Sequence, residues 1–324
     1  MVRRRRRRRP AGGVRMSRAV LNRHPELGIA LPTNRVHLTS ARLGRIVKAL
    51  EEAGCTSLWV NDHLAAFPVG SENYPYSATG DITWDPELPQ YEALTTCGFL
   101  ANTSDRMKVG TSVLVLPQRH PVAVAQAAAT LADLTEGRFR LGVGAGWSRR
   151  EMTLLGWDPA TRGARMDEEL DIIRTGWGQR RRLARWVHYD IPPDVIFRPR
   201  PTPATVPPVL VGGTSAAAHQ RVLKFGDGWL AVARGDDPAS LAQAGAVLTR
   251  LRDRSERPLT GVLKVALPHP DERWAVRALE ETVGHDWDEV TFEFDEWRLD
   301  ETCSLVSACN ALGRTVHDAP SHVG

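Results

Sequence analysis

One count constrains the fold of this chain more than any other feature. Eight short β-rich runs follow one another, each trailed by a stretch of helical periodicity. The runs fall at residues 27–31, 57–60, 107–114, 138–143, 208–211, 228–232, 262–267 and 290–294. Helical patterns fill the gaps at 39–53, 90–101, 121–134, 149–155 with 164–176, 215–225, 238–252, 271–282 and 300–312. Strands alternating with helices make parallel βαβ units. Eight such units close naturally into an α/β barrel, the (β/α)8 or TIM fold. A doubly wound open sheet is the alternative, but no Rossmann fingerprint follows the first run, which favours the barrel. The expected architecture is one barrel domain over residues 16–324.

Two connections are too long for plain loops. Residues 61–89 follow the second strand and carry Phe67, Tyr74, Tyr76 and Trp84. Aromatic side chains in a long strand-to-helix loop suggest a lid or substrate wall; a ligand-free Ω-loop is the alternative. Residues 178–207 form an insertion after the fourth strand unit. It opens on an arginine-rich stretch (Arg180, Arg181, Arg182, Arg185) and ends rich in proline. That stretch either meets an anionic cofactor tail or is solvated.

Charge separates the tail from the body. The net charge is +4, with 42 Lys+Arg against 38 Asp+Glu. Residues 1–15 hold eight of those cations and no acid, including the unbroken run Arg3 to Arg9. The remainder is mildly acidic. We read residues 1–15 as a basic disordered tail outside the fold, with Met16 as the true start of translation. A nucleic-acid-binding arm is the competing reading, and nothing else in the chain supports it. No apolar h-region follows the arginines, so a twin-arginine signal is not indicated. No run approaches the roughly 20 apolar residues of a membrane span. Cys55, Cys97, Cys303 and Cys309 form neither a metal-type pair nor a disulfide framework. A cytoplasmic protein without a metal site is the default expectation.

In such barrels the active site lies where the strands end. Asn61-Asp62-His63 follows the second strand; an Asp beside a His can orient an imidazole and tune its proton. Equally, the Asp can cap a turn and the His lie on the surface. In the third strand Thr111 and Ser112 can offer hydroxyls to a bound ring, or simply reflect β-propensity. After the fourth strand comes Gly142-Val-Gly-Ala-Gly-Trp147. Its alternating glycines allow a backbone to approach a flat or phosphorylated ligand, or to make a tight turn. After the fifth strand, Gly212-Gly213-Thr214-Ser215 leads into a helix. Free amides at a helix N-terminus make a phosphate cradle, and Thr214 or Ser215 also serves as an ordinary N-cap.

Taken together these segments resemble the luciferase-like monooxygenase superfamily, in particular its branch that uses the deazaflavin coenzyme F420. The matching text is Gly28-Ile-Ala-Leu-Pro32, Trp59-Val-Asn-Asp-His63, Gly110-Thr-Ser-Val-Leu114, His120-Pro121, residues 134–147, Arg162-Gly-Ala-Arg165, Pro207 to Gly213 and Gly226-Asp-Gly-Trp229. The resemblance covers roughly residues 27–232. It implies that Asp62 and His63 sit against the deazaflavin ring, with His63 as the proton-handling residue. It implies a non-prolyl cis peptide at Ser112-Val113 behind the ring. Gly144, Ala145, Gly146 and Trp147 would line the cofactor's side chain, and Gly212, Gly213 and Thr214 would hold its phosphate. Arg165 and Glu168 are expected to form a helix-surface ion pair at i, i+3. Asn61 departs from the resemblance, standing where Ser is commoner.

The function implied is hydride transfer between coenzyme F420 and a small organic substrate, as a reductase or dehydrogenase. A two-component monooxygenase using reduced FMN is the alternative. A non-catalytic barrel that binds flavin or an anion is the third reading. The resemblance also implies a homodimer. His269, after the seventh strand, is a further candidate for the pocket.

Overall fold

A computed structural model describes residues 24–77, 79–180, 186–282 and 284–317, with side chains as far as Leu312. The basic tail at 1–15 and Arg181, Arg182 and Arg185 lie outside the described residues. The strands are β1 (Glu26–Ala30), β2 (Ser57–Val60), β3 (Lys108–Thr111), β4 (Leu114–Val115), β5 (Phe139–Gly144), β6 (Val209–Gly212), β7 (Gly228–Arg234), β8 (Thr260–Leu267) and β9 (Glu289–Phe294). All pair in parallel, in the order β3-β2-β1-β9-β8-β7-β6-β5-β4, and β3 also pairs with β5. That last pairing closes the sheet. β3 and β4 are two halves of one barrel strand, parted at the Ser112-Val113 peptide, which is cis. The result is an eight-position (β/α)8 TIM barrel.

Helices α1 (Ser40–Glu52), α2 (Ala93–Ala101), α3 (Pro121–Leu134), α4 (Arg149–Leu154), α5 (Arg162–Gly176), α6 (Ala216–Phe225), α7 (Pro238–Arg254), α8 (Glu272–Thr282) and α9 (Leu299–His317) surround it. α1 shows why these segments form helices. Thr39 caps its N-terminus by accepting from the Arg42 amide. Leu43, Ile46, Val47 and Leu50 then recur at helical spacing and are buried. Gly54 ends it at φ +92°, a conformation that favours glycine. Among the described residues no helix is long and apolar enough to cross a membrane.

The core has two parts. Outward-facing strand residues pack on the helices in one large cluster. Inside the barrel Ala30, Trp59, Leu210, Leu230 and Val262 pack with Val113. Both faces of every strand are therefore buried, and polar residues on the inner face must find partners there. Glu289 does so with one oxygen at the N-terminal end, accepting from Trp59 Nε1 at 2.5 Å and from Ser57 Oγ, while its other oxygen has no partner.

The described part of the insertion from residue 186 onward packs against the barrel's helices. Trp186, Tyr189 and Ile191 pack on Ile172 of α5 in a small core of their own. Here one expectation is corrected. Arg165 and Glu168 do not pair on the helix surface. Arg165 is buried, donating to the Pro117 carbonyl at 2.7 Å and the Tyr189 hydroxyl at 2.8 Å. Glu168 instead accepts from the Val187 and His188 amides. The insertion competes for both side chains, holding Arg165 in buried contacts and Glu168 through two backbone amides, and an exposed i, i+3 pair is worth little against them. Arg180 lies over the Phe225 ring at 5.0 Å and pairs with Asp171.

Candidate active site

A cleft of about 750 Å³ opens at the C-terminal ends of the strands, where barrels carry their chemistry. Its wall includes Asp62, His63, Ser112, Val113, Gly144, Ala145, Gly146, Trp147, Gly212, Gly213 and Thr214. The four strand ends singled out in the sequence thus meet around one space. Thr111 does not join them. It is fully buried, and its hydroxyl donates to the Gly142 carbonyl at 2.7 Å. Period-two geometry explains the correction: Thr111 and Ser112 face opposite sides of the strand. His269 is also off the wall, exposed beyond β8.

Asp62 and His63 are neighbours in sequence but not partners. The Asp62 carboxylate is buried and held at both oxygens by Arg119, at 2.6 and 2.8 Å, and by the Val115 amide at 2.8 Å. Burial pushes its pKa up, against the opposing pull of Arg119. Arg119 also reaches Glu92, the N-cap of α2, at 2.8 Å. Asp62 therefore ties β2 to β4 and, through Arg119, to α2, and three protein donors hold its carboxylate.

The partner of His63 comes from α4. Glu151 Oε2 lies 3.1 Å from His63 Nδ1. The other oxygen of Glu151 accepts from the amides of Leu64 and Ala65. Burial alone would raise the Glu151 carboxyl; the bonds from His63, Leu64 and Gln118 outweigh it and hold it below the usual carboxylate range. An ionised carboxylate can only accept, so Nδ1 carries the proton and Nε2 is the atom free to exchange one. The ring sits between Trp84 and Trp147, with centroids at 5.3 and 5.7 Å.

The glycines serve the protein's own packing first. A Cβ on Gly144 would come within 2.6 Å of Val113 Cγ2, and one on Gly212 within 2.7 Å of Val113 Cγ1. The two glycines make room for the Val113 side chain inside the barrel. Gly146 has φ +74° and faces Val115. At the far end Ser215 caps α6 by accepting from Ala218. The preceding Gly212-Gly213-Thr214 leads into first-turn amides that no intrahelical bond uses. Arg162 lines this end and donates to the Pro159 carbonyl at 2.8 Å. Among the described charged side chains of the wall, it alone has no opposite charge within ion-pair distance.

The sequence reading missed a cluster at the cleft floor. Lys264 of β8 donates to the Ser112 carbonyl at 2.8 Å and to Asn61 Oδ1 at 3.2 Å, and pairs with Glu293 of β9 at 3.1 Å. Asn61 donates to the other oxygen of Glu293. Burial opposes ionisation of Glu293, but Lys264, Arg35 and Asn61 prevail and hold it low. Asn61 thus spans an ion pair that the shorter Ser would not reach. The signal was present: Glu289, Thr291 and Glu293 alternate with Val290, Phe292 and Phe294. In a strand buried on both faces that alternation sends acids into the barrel. Among the described residues no three His, Cys, Asp or Glu side chains are grouped to hold a metal ion.

Comparison with known proteins accords with this geometry. A family model described as luciferase-like monooxygenase matches residues 26–283. The phthiodiolone/phenolphthiodiolone dimycocerosates ketoreductase of Mycobacterium bovis is 29% identical over 268 residues, covering 73% of this chain and 69% of that protein. Among solved structures, monooxygenase RslO1 from Streptomyces bottropensis is similar with a TM-score of 0.66 at 15% identity, over 91% of this chain and 100% of that one. An F420-dependent secondary alcohol dehydrogenase is similar with a TM-score of 0.59 at 16% identity, over 91% and 84%. The match over residues 26–283 takes in β1 to β8 and every strand end described above but that of β9, and the chain belongs to the luciferase-like monooxygenase family, whose members are oxidoreductases.

Proposed function

We propose that this chain is a coenzyme F420-dependent oxidoreductase that moves hydride between the deazaflavin and a small organic substrate. The observation that carries the reading is the His63–Glu151 pair. It sets one imidazole nitrogen as a proton exchanger on the wall of a cleft backed by the Ser112-Val113 peptide. Bound there, the deazaflavin would supply the two-electron hydride couple. The chain's residues do the rest. Ser112 and Val113 back the ring, and Ala145, Gly146 and Trp147 flank the side chain. Gly212, Gly213, Thr214 and the start of α6 take the phosphate. His63 gives or takes the proton at the substrate oxygen when hydride arrives at or leaves its carbon.

The choice of deazaflavin over FMN rests on Arg162. FMN ends at one phosphate, which the cradle alone can serve. The deazaflavin carries further acids beyond its phosphate, and an unpaired guanidinium at that end suits them. The ketoreductase and the alcohol dehydrogenase among the similar proteins support a carbonyl–carbinol reaction. The test is a fluorescence titration of the purified protein with each cofactor. Tight binding of F420 and weak binding of FMN is expected. The reverse, with oxygen uptake on supplied reduced FMN, would establish the two-component monooxygenase, a reading the similarity to RslO1 favours.

A further inference from the structure

We infer that the substrate is an uncharged molecule with a flat apolar face, bound with its reacting carbon toward His63. The inference rests on the proposed function for the site but not on which cofactor fills it. Two independent features of the substrate end carry it.

The first is charge. Among the described residues, the cations lining that end of the cleft already have an opposite charge on the protein. Arg35 pairs with Asp295 at 3.0 Å and Lys264 with Glu293 at 3.1 Å, and His63 Nδ1 is already engaged by Glu151 at 3.1 Å. Arg35 is further committed to the Thr83 carbonyl at 3.0 Å. All three donors of Lys264 are used by Glu293, Asn61 and Ser112. A carboxylate or phosphate entering here would shed water and find no free counter-charge, and would have to break an existing pair. The unmatched cation, Arg162, stands at the α6 end.

The second is shape. Tyr74 of the long loop after β2 meets the Trp84 ring at 5.2 Å and the Trp147 ring at 5.1 Å, both edge-on. Tyr76 packs on Tyr74 at 5.4 Å, and His63 touches both tryptophans. These rings make one continuous aromatic wall beside the proton exchanger. Burial of a planar apolar body against such a wall is favoured, and ring stacking adds to it.

The test uses three methyl ketones of matched size on protein loaded with whichever of F420 and FMN it binds. They are 2-acetylnaphthalene, its carboxylated analogue 6-acetyl-2-naphthoate, and the saturated 2-acetyldecalin. Equilibrium dialysis reads the dissociation constants. The carboxylate is expected to bind about tenfold or more weakly than the neutral naphthalene, since its charge goes unmatched. The decalin should bind about threefold to tenfold more weakly, the contribution of stacking. Trp84→Leu should abolish the preference for the flat probe over the saturated one while leaving the penalty on the carboxylate. Equal or tighter binding of the carboxylate overturns the inference, as does a flat-over-saturated ratio unmoved by Trp84→Leu, or no binding of any probe. Loading by FMN instead of F420 overturns the cofactor reading alone.

Discussion

At the scale of single residues, the two neighbours Asp62 and His63 have divided roles, and the division is testable. Asp62 is spent on Arg119 and Val115, whereas His63 takes its orientation from Glu151, 88 positions away. Glu151→Gln is a sharp probe because the amide oxygen can still accept from Leu64 and Ala65. Its NH2 would donate to Nδ1, which forces the proton onto Nε2 and inverts the tautomer. Turnover should fall about a hundredfold or more, the scale of general acid–base catalysis, while cofactor affinity stays within a factor of about three. An unchanged kcat would show that His63 moves no proton. Thr111→Val makes the opposite prediction. The Gly142 carbonyl loses its donor, so urea unfolding should report a loss of about 1 kcal/mol. Cofactor affinity should not move, since Thr111 does not line the cleft.

At the scale of elements, β8 and β9 supply the chemistry of the floor, and each depends on the other. Lys264 and Glu293 are a buried pair bridged by Asn61 of β2. Lys264→Met would leave Glu293 in the barrel without its counter-charge and should destabilise by about 3–5 kcal/mol in chemical denaturation. The double variant Lys264→Met with Glu293→Gln should recover much of that loss, because the charge goes with its partner. A single variant as stable as the parent would refute the dependence. These elements also show what could be read in advance. Strand count, helix order and the four strand ends follow from periodicity and turn residues, which are local. Partners such as Glu151, Arg119, Lys264 and Glu293 come from α4, the loop before α3, β8 and β9. Their meeting is set by barrel closure, and no spacing in the chain encodes it. The cis peptide at Ser112-Val113 comes only through the family resemblance, and the split of the third strand there is not legible at all, since propensity over residues 107–114 reads as one unbroken strand. Arg165 went wrong for a related reason: i, i+3 spacing reports a neighbour on the helix but not a competing segment laid over it.

At the scale of the whole molecule, that covering segment gives the protein a pH dependence of stability with a definite sign. The insertion reaches the barrel mouth through one buried chain of contacts. Tyr189 donates to Glu169, Arg165 joins both, and Arg165 also binds the Pro117 carbonyl beside β4. Arg165 lies over the Trp157 ring at 3.6 Å as well. Burial pushes the Glu169 carboxyl up from its ordinary 4.5 to about 7, with Tyr189 and Arg165 only partly opposing it. One of its oxygens has no hydrogen-bond partner, which makes the charged form the costlier one. Between pH 4.5 and 7 the folded chain holds this proton and the unfolded chain does not. Stability from this group is therefore full on the acid side and is lost as pH rises through that window, by up to about 3 kcal/mol. Glu151 and Glu293 act in the opposite sense. Their pKa values are held low, so their contribution is present above the ordinary carboxylate range and is lost only as pH falls below it. The two effects thus occupy separate windows. Glu169→Gln cannot titrate and keeps an acceptor for Tyr189. Urea unfolding of parent and variant from pH 5 to 8 should show the parent's advantage shrinking steadily with pH. Parallel curves would mean that Glu169 is ionised throughout, with Arg165 as its full counter-ion.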